Sequence, residues 1–350
     1  MSTTIITPNP IEGGFQQTIP LQSNNPSAVR RQPRSVKNMW IASIATAAAV
    51  CLLLTVIFHA YVAWMLAYPY VAPLKSNPEK ELGLAYEDVV FPSASGRTTI
   101  SGWFIPSEAD SRIEPGLSSK RTVVFSHGYG ANREESWVPM YELANLMHGL
   151  DYNVLLFDYG YASTQYKAPA TGGWEESQQL IAAVDYARGR GAEEVIVWGF
   201  SMGAGTALQA ALQTDEIDAM ILDSLFIPSS EALFDNLNQF IKLPSQSLRT
   251  IESLIPLWTG MSFGSIPTEE VVANVYDIPL YIIHGTSDVK APVDTAEAVA
   301  ADQGNPLSRS WIVANGQHEM IYRTYPKEYM QRAILFLSQV EQEMNERISG

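Results

Sequence analysis

Residues 39–67 of this 350-residue chain, MWIASIATAAAVCLLLTVIFHAYVAWMLA, contain no Asp, Glu, Lys or Arg. Few other features constrain a fold as strongly. A helix rises 1.5 Å per residue, so about 20 apolar residues already match a hydrocarbon core of about 30 Å. Trp40 stands at one end of the run, and Trp64, Tyr68 and Tyr70 at the other, as in the aromatic belts at bilayer surfaces. Pro69 and Pro73 then stop the helix. A cleaved signal peptide has a shorter apolar core, of about 7–15 residues, near the chain start. This run is longer and begins late, so residues 39–68 read as a membrane anchor. His59 inside it reads as incidental.

Charge supports the same division. Residues 1–74 hold Arg30, Arg31, Arg34 and Lys37 against Glu12, whereas the rest of the chain is strongly acidic within a net charge of −15. The basic cluster just before the span puts the N-terminus in the cytoplasm, with the acidic body across the membrane. Residues 1–38, rich in Ser, Thr, Pro, Asn and Gln, read as a disordered cytoplasmic tail. An acidic body excludes a nucleic-acid partner, which needs a basic face. Cys51 is the one cysteine, so neither an intramolecular disulfide nor a Cys-based metal site is expected.

From residue 84 short apolar runs alternate with helical stretches. Strands are predicted at 85–91, 98–104, 121–126, 153–158, 194–199, 219–223, 279–284 and 309–314. Helices are predicted at 134–148, 174–189, 202–213, 292–303 and 326–345. Nearly all-apolar strands alternating with helices imply a mainly parallel sheet covered on both faces. The first two strands have no helix between them and are expected to pair antiparallel at an edge. The stretch 224–277 lacks a clear strand but is rich in apolar residues. A structureless loop of that length is unexpected, so it should carry helices of its own.

Residues 199–203 read Gly-Phe-Ser-Met-Gly. Such a pattern arises by chance in roughly one chain in ten of this length. Here it follows the strand EEVIVW and opens the helical run MGAGTALQAAL, the context in which a strained turn exposes a serine oxygen at a strand tip. Ser201 is therefore the candidate nucleophile. A serine needs a base. His318 lies in a loop past the last strand and follows Ser201 in the chain, which fits the order Ser…Asp…His. The base needs a carboxylate to fix its tautomer. Asp288, after the strand LYII, is the first candidate and Asp223 the second. The backbone N–H groups of Met202 and of Tyr129, the latter in the loop His127-Gly128-Tyr129-Gly130, are the candidate oxyanion donors. His127 reads as a loop-shaping residue and His148 as a surface one.

HGYG, GFSMG, HGTSD and GQHE, in that order and at strand ends, resemble the α/β-hydrolase superfamily over about residues 84–345. The pieces EDVVFPS and GWFIPS and the N-terminal span resemble the membrane-anchored α/β-hydrolase-domain proteins of the serine aminopeptidase S33-like group. The resemblance implies an eight-stranded, mostly parallel sheet with helices on both faces, residues 75–350 as the hydrolase domain and about 224–277 as a small helical cap. It implies a serine hydrolase acting on an ester, thioester or amide, with no cofactor or metal. A small-molecule or lipid-like acyl substrate is the expected partner. An acyltransferase and a non-catalytic anchored scaffold are the alternatives. One departure stands out: relatives often show Asp-x-Arg-Gly-x-Gly-x-Ser where this chain has Asp158-Tyr-Gly-Tyr-Ala-Ser-Thr, without the arginine.

Overall fold

The computed structural model of the chain describes residues 35–108, 118–135 and 137–349. Most of the expected N-terminal tail, with Arg30, Arg31 and Arg34, lies outside the described residues. The chain divides into two compact units, Met1–Leu52 and Leu53–Gly350. One helix, α1, runs Val36–Ala67. It is long and apolar enough to cross a membrane. In the first unit its apolar side chains, Trp40, Ile41, Ile44 and Val50 among them, are exposed.

The second unit holds the end of α1 and then an alternating chain of strands and helices. In order these are α2 (Pro78–Leu82), β1 (Glu87–Pro92), β2 (Thr99–Ile105), β3 (Arg121–Ser126), α3 (Met140–Gly149), β4 (Asn153–Asp158), α4 (Trp174–Gly189), β5 (Glu194–Phe200), α5 (Met202–Ala211) and β6 (Ala219–Asp223). A cap follows, with α6 (Ser230–Phe240), α7 (Ser245–Leu254), α8 (Pro256–Thr259) and α9 (Thr268–Ala273). The chain then returns through β7 (Leu280–Gly285), α10 (Val293–Ala301), β8 (Arg309–Val313), α11 (Ile321–Thr324) and α12 (Pro326–Ser349).

The eight strands form one sheet in the order β1-β2-β4-β3-β5-β6-β7-β8. β1 pairs antiparallel with β2, and β2 antiparallel with β4; the other pairs are parallel. The expected antiparallel edge is therefore present. Side chains alternate across the sheet, as a two-residue repeat requires. Val124, Leu155, Val197, Leu222 and Ile282 pack on one face with Leu180 and Val184 of α4, Leu208 of α5 and Val299 of α10. Val123, Leu156, Trp198, Ile221 and Ile283 pack on the other with Leu143 of α3 and Phe336, Leu337 and Val340 of α12. Both faces are apolar, which is why the strands read as continuous apolar runs.

Two differences from the expected elements have local causes. The helix predicted at 134–148 starts only at Met140, directly after Pro139. Proline fixes its own φ and pushes the preceding residue out of the helical region, so residues 134, 135 and 137–139 lie outside any helix. The short α2 was not predicted, although Asn77 caps it by accepting the Lys80 N–H at 2.9 Å, Pro78 opens it and Gly83 closes it in the left-handed region. α12 continues to Ser349, beyond the expected 345.

The end of α1 packs within this unit. Val62 and Ala63 form a small apolar cluster with Ile251 and Ile255 of the cap, flanked by Leu66, Leu233 and Leu237. His59 is buried on the same helix, with Nδ1 2.7 Å from the Thr55 carbonyl oxygen.

Candidate active site

The strand order reverses between β3 and β5, and a crevice opens outside the C-terminal ends of strands at such a point. Ser201 sits there, between the end of β5 and the start of α5, with φ +51 and ψ −119. A non-glycine residue in that region is strained and must be held by its surroundings. Its N–H donates to the Asp223 carbonyl oxygen at 2.9 Å, and its own carbonyl accepts from Ala204 and Gly205. The flanking glycines are steric requirements. A Cβ on Gly203 would lie 2.1 Å from the Ser126 carbonyl oxygen, and one on Gly199 2.6 Å from the Ala204 Cα.

His318 arrives from the loop after β8. Its Nε2 lies 2.8 Å from Ser201 Oγ and its Nδ1 2.6 Å from Asp288 Oδ2. The network assigns the tautomer: Nδ1–H donates to the carboxylate, and Nε2 accepts from the serine hydroxyl. Asp288 is fixed in turn, because its Oδ1 accepts the backbone N–H groups of Lys290 and Ala291 at 2.9 and 2.8 Å. Asp223, the other candidate acid, does not reach His318. Its carboxylate accepts from the Tyr329 and Ser224 hydroxyls at 2.7 and 2.8 Å, and burial raises its pKa to about 7.

The remaining histidines separate by environment. His127 is fully buried, its Nε2 accepts the Tyr159 N–H at 3.1 Å, and burial lowers its pKa to about 4. It is a neutral brace for the loop that carries Tyr129. His284 is buried beside Asp288, with Nε2 donating to the Ala291 carbonyl at 2.9 Å, and burial lowers its pKa. His148 contacts the Pro106 carbonyl at 3.1 Å, on the surface.

Met202 is the first residue of α5, so its N–H has no acceptor inside the helix. Met202 and Tyr129 line the same cavity as Ser201 and His318, of about 310 Å³. Its far wall is apolar, formed by Leu233, Leu237 and Phe240 of α6, Ile255, and Leu66 and Ala67 of α1. That last contribution was not legible in the sequence. Nor was the fate of Asp158. Arg133 reaches it at 2.8 Å with both side chains buried.

The fold matches known proteins. A sequence profile for the alpha/beta hydrolase fold matches residues 121–272. Among solved structures, the Pyrococcus furiosus esterase Pf2001 superposes with a TM-score of 0.60 at 24% identity, covering 77% of this chain and 98% of that one. The chain is an α/β-hydrolase-fold protein. The alpha/beta hydrolase GrgF from Penicillium sp. sh18 gives a TM-score of 0.54 at 15% identity, over 73% of this chain and 99% of GrgF. Among curated sequences, the uncharacterized protein YfhR of Escherichia coli O157:H7 is 27% identical over 235 residues, covering 66% of this chain and 73% of YfhR. The YfhR of Salmonella typhimurium is 26% identical over 270 residues.

Proposed function

We propose that this α/β-hydrolase-fold protein is a membrane-tethered serine hydrolase that cleaves an ester, thioester or amide through an acyl-Ser201 intermediate. The observation that carries this reading is the chain of contacts from Ser201 Oγ through His318 to Asp288, at 2.8 and 2.6 Å. Ser201 Oγ attacks the substrate carbonyl carbon while His318 Nε2 takes its proton. Asp288 stabilises the imidazolium that results. The carbonyl oxygen, now an oxyanion, is received by the N–H groups of Met202 and Tyr129. The intermediate collapses, His318 returns the proton to the leaving group, and the acyl group stays on Ser201. Water then repeats the cycle and frees the acid.

The apolar walls of the cavity, with Leu233, Leu237 and Phe240 on one side and Leu66 on another, favour a lipid-like acyl group. The α1 span, with the basic residues before it, favours a single-pass protein with a cytoplasmic N-terminus and the hydrolase domain on the other side. The resemblance of EDVVFPS and GWFIPS, together with that span, favours the membrane-anchored, S33-like branch. A fluorophosphonate probe tests the reading directly. The full chain in detergent should be labelled and Ser201→Ala should not; labelling that survives the substitution overturns the assignment. An ester panel graded by acyl length then tests the substrate class, with Ser201→Ala as its blank.

A further inference from the structure

Three buried oxygens beside Ser201 lack a hydrogen-bond partner among the described residues: both carboxyl oxygens of Glu135 and Oε1 of Glu319. The two side chains converge beside Gly128. A methyl group built on Gly128 would lie 2.9 Å from Glu319 Oε1, 3.1 Å from Glu135 Oε1 and 3.4 Å from Ser201 Cβ. Both residues are buried, at 3% and 4% exposure, and both hold a positive φ, +27 and +56. Such backbone strain persists only where the surroundings enforce it. The second oxygen of Glu319 is engaged. Its Oε2 accepts the indole N–H of Trp137 and lies 3.8 Å from His318 Nε2.

Two ionised carboxylates cannot share so small a buried space, because each loses its hydration and repels the other. One proton resolves the conflict. Placed on Glu135 and donated to Glu319 Oε1, it gives a partner to one oxygen of each residue, and it leaves Glu319 ionised. The charges facing the pair fit a single residual negative charge. Asp223 and Asp288 oppose further ionisation, whereas Lys290 and His318 offset it. Burial first, and then the neighbouring carboxylate, holds Glu135 well above the usual carboxylate range, against a smaller opposing pull from the Gly128 backbone N–H. Burial also raises Glu319, against the pull of His318.

We propose that Glu135 and Glu319 form a proton-sharing carboxyl pair that positions His318 and sets the charge beside Ser201, with neutral Glu135 steering ionised Glu319 against the Nε2 edge of the imidazole. Asp288 holds the opposite, Nδ1 edge. When His318 takes the serine proton, the imidazolium is thus flanked by a carboxylate on each side. The pair contributes one negative charge near the forming oxyanion instead of two. Apart from the shared proton, no atom is exchanged. This role rests on the reading of Ser201 as nucleophile and His318 as base.

Two measurements test it, and the first does not depend on catalysis. In infrared difference spectra of the full chain in detergent at neutral pH, Glu135→Gln on a Ser201→Ala background should remove a protonated-carboxyl stretch. Glu319→Gln should shift that stretch, because its acceptor changes from carboxylate to amide. A spectrum that neither substitution alters overturns the shared proton. The second is the pH profile of kcat on a short-chain ester. Loss of the shared proton at alkaline pH should slow the wild type, and Glu135→Gln should flatten that alkaline limb. Glu319→Gln should lower kcat about tenfold, with KM within about twofold. Wild-type profiles in both variants overturn the role at His318, whereas a protein that is never labelled at Ser201 leaves the infrared result standing on its own.

Discussion

The Tyr129 hydroxyl donates a hydrogen bond to the Leu66 carbonyl oxygen at 2.7 Å. One residue belongs to the last turn of α1, and the other to the loop that offers a candidate oxyanion donor. The carbonyls of a final helical turn have no acceptor role inside the helix and must find donors elsewhere. The Ala67 carbonyl finds one in the Ala170 N–H, at 2.6 Å. Leu66, Ala67, Tyr129 and Ala170 all line the cavity that contains Ser201. The end of the apolar helix is therefore tied by hydrogen bonds to the walls of the candidate active site.

Tyr129→Phe should break the first of these ties while keeping the ring and the backbone donor. A single hydrogen bond contributes about 1 kcal/mol. The melting temperature is expected to fall by a few degrees. KM for long-chain esters should rise more than KM for acetate esters, since the side chain and not the donor has changed.

The two candidate acids should separate cleanly. Asp288→Asn is expected to lower kcat by about 10³–10⁴-fold with little change in KM, because the imidazole loses the carboxylate that fixes its tautomer. Asp223→Asn keeps the Ser201–His318 contact and should act chiefly on stability. Steady-state kinetics on one ester substrate, run beside thermal melts, distinguishes the two.

Arg133→Ala should be strongly destabilising. It strands Asp158 in a buried position without its cation, and breaking such a pair by removing one partner costs about 3–5 kcal/mol. Arg133 also stacks on Trp103, 4.8 Å from the ring centroid, and donates to Ser101 Oγ at 2.9 Å. Urea unfolding should show a lower midpoint at unchanged m-value.

Stability should also depend on pH through buried acids far from the site chemistry. Burial raises the pKa of Glu194 to about 7, partly offset by its hydrogen bond from Tyr152 and by Arg121. Glu194 then binds its proton more tightly folded than unfolded. Its contribution is present below pH about 4.5 and is lost as pH rises through about 7. The effect amounts to about 3 kcal/mol at most. Glu194→Gln should flatten the fall in urea midpoint between pH 5 and 8; an unchanged slope would refute the assignment.

The sheet was legible in the sequence because each strand carries its own signature. Runs such as VLLF and VIVW are apolar on both faces, and the spans 121–126, 153–158 and 219–223 match β3, β4 and β6 residue for residue. The convergence of Ser201, Asp288 and His318 was legible for a related reason, since each sits where a strand ends and the topology gathers those ends on one edge. What escaped depends on contacts distant in the chain. Arg133 meeting Asp158 and Leu66 meeting Tyr129 are pairings that no local pattern announces. The late start of α3 was locally encoded at Pro139 and was outweighed by the apolar periodicity around it.

The closing turn of α1 gives the chain an unusual point of divisibility. A span that served only as a leash could be exchanged at Pro69 without touching catalysis. Here Val62, Ala63, Leu66 and Ala67 sit inside the working body. Grafting a foreign anchor upstream of His59 should yield a functional chimera, whereas grafting at Pro69 should leave the cavity unwalled. On the proposed reading of α1 as an anchor and Ser201 as nucleophile, cleavage of the chain near Pro69 would accordingly act as inactivation and not as release of an active domain.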